Sequence, residues 1–147
     1  MDKKPDTLYI DTWRLFITAN ARLLDTIDAE MVGAGVLPLH WYDVLVELAQ
    51  APDHRVRMSD LAQRVILSKS GLTRLVDRLE AEQLLERERS AEDRRGAYAV
   101  LTDKGLEAMR RSWKVYAQAI QERFAAHLSD EEARILSAVF QRMLNAL

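Results

Sequence analysis

Hydrophobic residues recur at intervals of three or four positions through most of the chain, which predicts a mainly α-helical fold. The first such stretch runs from about Asp6 to Val32, is long for a small globular domain, and ends at Gly33-Ala34-Gly35. Further helical patterns begin after Pro38 and after four predicted N-cap residues: Ser59, Ser68, Thr102 and Ser129. In the short helix after Ser59, the predicted buried face consists of Leu61, Ala62, Val65 and Ile66.

Three short segments have the alternating pattern of β-strands instead. Arg55–Met58 is one, and Leu84–Arg89 and Ala97–Leu101 flank a polar segment with the composition of a turn, which predicts a hairpin. The order is helix, short strand, two helices and hairpin. We therefore expect a winged helix-turn-helix, mainly α with a small β-hairpin wing, flanked by long N- and C-terminal helices.

The helix after Ser68 has two contrasting faces. Its apolar positions are Leu72, Leu75, Val76 and Leu79, which share one side. Hydrogen-bond donors lie on or near the other side: Ser68, Lys69, Ser70, Thr73, Arg74 and Arg78. Short hydroxyls and guanidinium groups near a helix N-terminus can reach base edges and phosphates in the major groove, which predicts a DNA recognition helix. The alternative for each residue is an ordinary solvated helix surface.

The tip of the predicted hairpin carries adjacent charges at Asp93, Arg94 and Arg95. Arginine on a narrow turn can enter the minor groove of DNA, where the negative potential is strongest. We interpret Asp93 as the carboxylate that orients Arg95 through an ion pair. The alternative is a surface ion pair of little energetic consequence.

Composition narrows the function classes. The 147 residues suggest one compact unit, and the absence of cysteine excludes a disulfide framework and a catalytic thiol. The net charge is −2, but the segment 55–104 holds 11 basic and 9 acidic residues, so charge gives only weak support to DNA binding. The sequence contains no phosphate-binding loop and no nucleophile paired with a base, so nothing in it suggests an enzyme. We expect no cofactor and no metal site, and a cytoplasmic location because no export signal is seen.

One stretch of the chain resembles the MarR family, the regulators named for multiple antibiotic resistance. It runs from Met58–Ala62 through Leu101–Gly105, and the whole stretch, about half of the chain, carries the resemblance. Its most specific parts include Leu72–Glu80 and Asp93–Gly96. The resemblance implies a homodimer that binds a pseudo-palindromic operator, and it makes Asp93-x-Arg95 the wing motif. It also implies three parts: an N-terminal dimerisation helix over 1–36, the winged domain over 37–104, and C-terminal dimerisation helices over 105–147.

The resemblance further implies a pocket for a small aromatic or phenolic acid that weakens DNA binding. The predicted ligand-binding residues are Trp13, Arg14, Phe16, His40, Trp41 and Trp113. Arg14 or His40 would pair with the ligand carboxylate. The alternative is that these aromatic rings belong to the core or to the dimer interface.

The resulting hypothesis is a sequence-specific DNA-binding transcriptional regulator that acts as a repressor. The alternative is a winged-helix module for DNA architecture or protein contact that responds to no ligand.

Overall fold

A computed structural model describes residues 6–89 and 96–147. The helices and strands, in chain order, are α1 (Thr7–Gly33), α2 (Leu39–Gln50), β1 (Arg55–Arg57), α3 (Met58–Arg64), α4 (Leu72–Ala81), β2 (Leu85–Arg89), β3 (Ala97–Leu101), α5 (Asp103–Arg123) and α6 (Asp130–Ala146). Short 3-10 turns at Pro52–His54 and Ala125–His127 complete the order. The mainly helical fold with a small hairpin is confirmed.

The chain forms two compact units. We call residues 28–115 the central unit, and residues 6–27 with 116–147 the terminal unit. The predicted parts 1–36, 37–104 and 105–147 were assigned by function, as dimerisation helices and a DNA-binding domain. The two compact units reflect contacts within one chain, so they do not test that assignment. That division therefore stays a prediction. No helix within residues 6–89 and 96–147 is both long and apolar enough to cross a bilayer.

The central unit contains a three-stranded antiparallel sheet with the order β1-β3-β2. Leu85 pairs with Leu101 and Arg89 with Ala97, so the two predicted strands pair antiparallel, as a hairpin requires. Val56, Ala99 and Leu101 lie on the buried face of the sheet. Leucines and valines of α2, α3 and α4 pack against this face to form one hydrophobic core.

The observed helix starts confirm two of the four predicted N-cap residues and contradict the other two. Ser129 forms the predicted capping box with Glu132, and its hydrogen bonds lower the pKa of Glu132. The Thr102 hydroxyl accepts from the Gly105 N–H at 3.0 Å, as expected for a cap of α5. The Ser59 cap is wrong, because α3 begins one residue earlier at Met58.

The Ser68 cap and the buried face of α3 were also predicted incorrectly. α4 begins only at Leu72, after Gly71 in a left-handed conformation with φ +72°. Leu61 and Val65 are buried as expected, but Ile66 is 76% exposed and Ala62 is exposed as well. The reason for Ile66 is that α3 ends at Arg64, so the helical spacing no longer sets the direction of the following side chains.

Gly105 in the first turn of α5 allows α5 to approach the start of β2. A Cβ at this position would overlap with the carbonyl oxygen of Leu84 and lie 2.8 Å from Cδ1 of Leu101. Both neighbours belong to the core or its edge, so neither can move freely. A side chain here would push α5 away from the sheet.

We therefore expect Gly105→Ala to lower the free energy of unfolding by about 1–3 kcal/mol, the usual cost of overpacking. Gly33→Ala is the matched control, because nothing lies within 4 Å of its added Cβ. Urea denaturation at one fixed protein concentration measures both. Equal stability of the two variants would contradict the close packing at Gly105.

A residue with a strained, left-handed backbone follows the C-terminal end of α4. Gln83 has φ +62°, and its N–H and that of Leu84 donate to the carbonyls of Glu80 and Leu79, at 2.9 Å in both cases. This is a Schellman motif, whose left-handed position favours glycine.

Gln83→Gly should accordingly raise the free energy of unfolding by about 0.5–1 kcal/mol, since the strain at this position is removed. Gln83→Ala is the control, because it removes the same side chain but keeps a Cβ at positive φ. Thermal denaturation compares them. A glycine variant no more stable than the alanine variant would show that the backbone strain at this position is negligible.

Candidate nucleic-acid interface

α4 presents a polar surface because its apolar face is fixed in the core. Leu72, Val76 and Leu79 are buried, and Leu75 packs against them from a partly buried position. Thr73, Arg74 and Arg78 are exposed on the opposite side, as the sequence predicted. The exposed side therefore offers one hydroxyl and two guanidinium groups, which suit contacts with bases and phosphates.

The segment between α3 and α4, residues 65–71, is called the α3–α4 turn below. Lys69 and Ser70 are exposed in it, shortly before α4 begins. Ser68 is only 1% exposed, and its Oγ lies 3.1 Å from Oδ2 of Asp43 and 2.9 Å from the carbonyl oxygen of His40. The prediction that Ser68 contacts DNA is therefore corrected, because its hydroxyl already has partners inside the protein.

The wing strands β2 and β3 lie on either side of the predicted hairpin tip. Asp93, Arg94 and Arg95 fall outside the described residues, so their roles stay predictions. The strands themselves are well tied to the core, since Leu85, Ala99 and Leu101 are buried.

Arg87 of β2 joins the wing to α4. Its guanidinium contacts Asp77 at 2.6 Å and Glu80 at 3.0 Å, and its backbone N–H donates to Glu80 at 3.0 Å. The hydrogen bond with Asp77 is the largest cause that raises the pKa of Arg87 above its ordinary value, although partial burial lowers it. The contact counterbalances two carboxylates that would otherwise repel phosphates near α4.

On the other face of the sheet, two arginines of β1 flank one tyrosine of β3. The Arg55 guanidinium lies 4.1 Å from the centre of the Tyr98 ring, and the Arg57 Nε donates to the Tyr98 hydroxyl at 3.1 Å. Arg55 also approaches Glu88 at 3.5 Å. These contacts stiffen the wing sheet by cation–π and ionic attraction.

Four of the six predicted ligand-binding residues line cavities, and these cavities are three different ones. Trp13 and Phe16 line an apolar groove of about 310 Å³ in the terminal unit, where the Phe16 and Phe140 rings lie 5.6 Å apart. Trp41 lines a cavity of about 410 Å³ in the central unit, beside Arg111 and Ser112. Arg14 and His40 line none of these cavities, so a carboxylate partner there has no support from the geometry.

Trp113 lines the third cavity, which we call the α2–α5 cleft. Its ring stacks on Tyr42 with 6.5 Å between the centres and an angle of 18° between the planes. Val46 and Met109 add apolar wall, and the cleft holds about 520 Å³. Two cationic residues, Arg110 and Lys114, also line it.

The sequence interpretation missed two buried or half-buried charged residues, Asp43 and Arg87. Asp43 carried a usable signal, because an acidic residue stands among apolar residues of α2, between Tyr42 and Val44. Arg87 carried none, since it is one of several alternating charges in β2. Within residues 6–89 and 96–147, no group of three or more potential ligands is arranged to hold a metal ion.

Known proteins resemble this chain in both sequence and fold. A family model described as "MarR family" matches residues 35–96. The fold is similar to that of AbsC, a MarR family transcriptional regulator from Streptomyces coelicolor, with 30% identity, a TM-score of 0.86, and coverage of 99% of this chain and 97% of that one.

Two further relatives extend the comparison. Sco3205, a MarR family transcriptional regulator from the same organism solved in complex with DNA, is 29% identical with a TM-score of 0.88, covering 99% of this chain and 92% of that one. The HTH-type transcriptional regulator PrsX of Escherichia coli is 28% identical over 89% of this chain and 78% of its own length.

Proposed function

The chain belongs to the MarR family of transcriptional regulators, and from that premise we propose that it is a homodimeric repressor of a pseudo-palindromic operator. The observation that carries the proposal is the outward polar face of α4, which is held by a fully packed apolar face. Sco3205, which is similar over nearly the whole chain, binds DNA. That similarity supports the same role for α4 here.

In the proposed complex, the N-terminal end of α4 enters the major groove. Lys69, Ser70, Thr73 and Arg74 contact base edges or nearby phosphates, and Arg78, one turn further along, contacts the backbone. The wing enters the adjacent minor groove through Arg95, which Asp93 orients. The buried Ser68 is not among the contacts.

The terminal unit supports dimerisation. Large apolar side chains are exposed on the N-terminal half of α1 and on α6: Leu8, Tyr9, Trp13, Leu15, Phe16, Ile135, Met143 and Leu144. A monomer seldom leaves so many apolar side chains in water unless they form an interaction surface. We propose that a second copy of this chain covers them and the apolar groove between α1 and α6.

Arg74→Ala and Arg95→Ala test the DNA contacts. Each should lower affinity for a duplex selected from random DNA by roughly tenfold, the usual value of one good guanidinium contact. Arg134→Ala on α6 is the control, because it removes the same charge outside the proposed contact surface. Gel-shift titration at several salt concentrations provides the measurement, since each lost phosphate contact reduces the salt slope by about one.

Unchanged affinity in Arg74→Ala would remove α4 from the interface. Unchanged affinity in Arg95→Ala alone would remove only the wing. A wild-type chain that binds all duplexes equally would favour the alternative, a winged-helix module for DNA architecture.

We further propose that the α2–α5 cleft is the effector site and that it takes a small aromatic acid. Tyr42 and Trp113 provide flat apolar walls, while Arg110 and Lys114 provide charge for a carboxylate. The cavity beside Trp41 has one cation, Arg111, and no stacked pair of rings. The cleft thus fits the chemistry of the ligand better than the residue set predicted from sequence.

Neighbouring arginines on α5 make a matched test of this site. Arg110→Ala should raise the benzoate or 4-hydroxybenzoate concentration that releases half of the DNA by about tenfold, because it removes the carboxylate partner. Arg111→Ala, which lines the other cavity, should leave that concentration unchanged. If neither acid shifts the melting temperature or the DNA affinity of the wild type, the effector proposal fails, and regulation by protein concentration remains.

A further inference from the structure

Asp43 is a buried carboxylate at the fifth position of α2, and it is only 6% exposed. Its side chain is directed to the α3–α4 turn. Oδ1 accepts from the N–H of Ile66 at 3.3 Å, and Oδ2 accepts from the N–H groups of Leu67 and Ser68 at 2.7 and 3.1 Å. One carboxylate therefore binds three consecutive backbone donors that belong to no helix.

A second link joins the same two segments. The Ser68 hydroxyl lies within hydrogen-bond distance of Asp43 and of the His40 carbonyl, so its single proton serves one of them at a time. Because His40 and Asp43 lie three residues apart on α2, both links start from one turn of that helix. The α3–α4 turn is thus held to α2 by side-chain contacts rather than by a regular secondary structure.

Glu47, one turn further along α2, lies near the same carboxylate. Burial raises the pKa of Glu47, the negative charge of Asp43 raises it further, and Arg64 of α3 lowers it. Buried charges are costly unless they have several hydrogen-bond partners, and the α3–α4 turn supplies them to Asp43.

Resting on the proposed function, we propose that Asp43 is the positioning residue for DNA recognition, because it fixes the turn that presents Lys69 and Ser70. These two exposed residues directly follow the three residues that Asp43 binds. A change in the conformation of residues 66–68 would displace both donors relative to Thr73 and Arg74, whose positions depend on the packed face of α4. Asp43 itself is buried and touches no DNA.

Asp43→Asn tests the proposal, since asparagine has nearly the same shape but replaces one acceptor oxygen by a donor. We expect affinity for the selected duplex to fall about tenfold, while affinity for an unrelated duplex stays within about twofold, because phosphate attraction dominates non-specific binding. Glu47→Gln is the control, as it removes a half-buried carboxylate one turn further along α2. It should leave both affinities within about twofold of the wild type.

A double-mutant cycle separates positioning from a purely structural role. In a Lys69→Ala, Ser70→Ala background the residues being positioned are absent, so Asp43→Asn should cost less than about threefold in specific affinity. A structural role predicts the same penalty in both backgrounds, or an equal loss for specific and unrelated duplexes. Either result, or wild-type specific affinity in Asp43→Asn, overturns the proposal.

Ser68→Ala provides a second variant in case Asp43→Asn does not fold. It removes the hydroxyl link but keeps the three backbone donors, so we expect a folded protein with a smaller specific loss and the same dependence on Lys69 and Ser70. An unchanged specific affinity in Ser68→Ala, combined with an unfolded Asp43→Asn, overturns the proposal. If the wild type itself prefers no duplex, the proposed function fails, which is distinct from a wild type that binds specifically and an Asp43 variant that does so equally well.

Discussion

The burial of one face of α4 is the constraint on which the rest of the central unit depends. Val76 and Leu79 have no exposed surface and pack with leucines of α2 and β2. Since successive helical positions are 100° apart, a fixed apolar face also fixes which side chains face water. Thr73, Arg74 and Arg78 are exposed for that reason, and no residue of the opposite face could replace them without loss of core packing.

Contacts at both ends of α4 complete its placement. Before the helix, Asp43 and Ser68 hold the α3–α4 turn to α2. After it, the left-handed Gln83 ends the helix, and Arg87 of the wing binds Asp77 and Glu80. The proposed effector cleft is close to the first of these contacts along the chain, because Tyr42, which forms one wall, directly precedes Asp43. The α3–α4 turn and the α2–α5 cleft therefore both depend on neighbouring residues of α2.

Local patterns were enough to predict most of the secondary structure. The strand Ala97–Leu101, the capping box at Ser129 and the apolar face of α4 each follow from spacing within a few residues. Ser68 could not be assigned in that way, because its partners lie 25 and 28 residues earlier in the chain. A serine whose neighbours suggest a helix cap is instead a buried link between α2 and the α3–α4 turn.

Local spacing was also insufficient to predict the surroundings of the candidate site residues. Ile66 changed from a predicted core residue to an exposed one because α3 ended two residues before it. The aromatic residues of the predicted ligand pocket lie far apart in sequence, and only the fold distributes them among separate cavities. Overall charge was equally uninformative, since a net charge of −2 coexists with the exposed arginines of α4.

Footprinting of the dimer on the DNA upstream of its own gene tests the central claim most directly. The account predicts protection of an inverted repeat whose half-sites are centred about one helical turn, roughly 10 base pairs, apart. Protection should disappear when unlabelled DNA of that sequence competes, but not with unrelated DNA. Uniform coverage without a repeat, or equal competition by both DNAs, would contradict the claim that α4 recognises a specific operator.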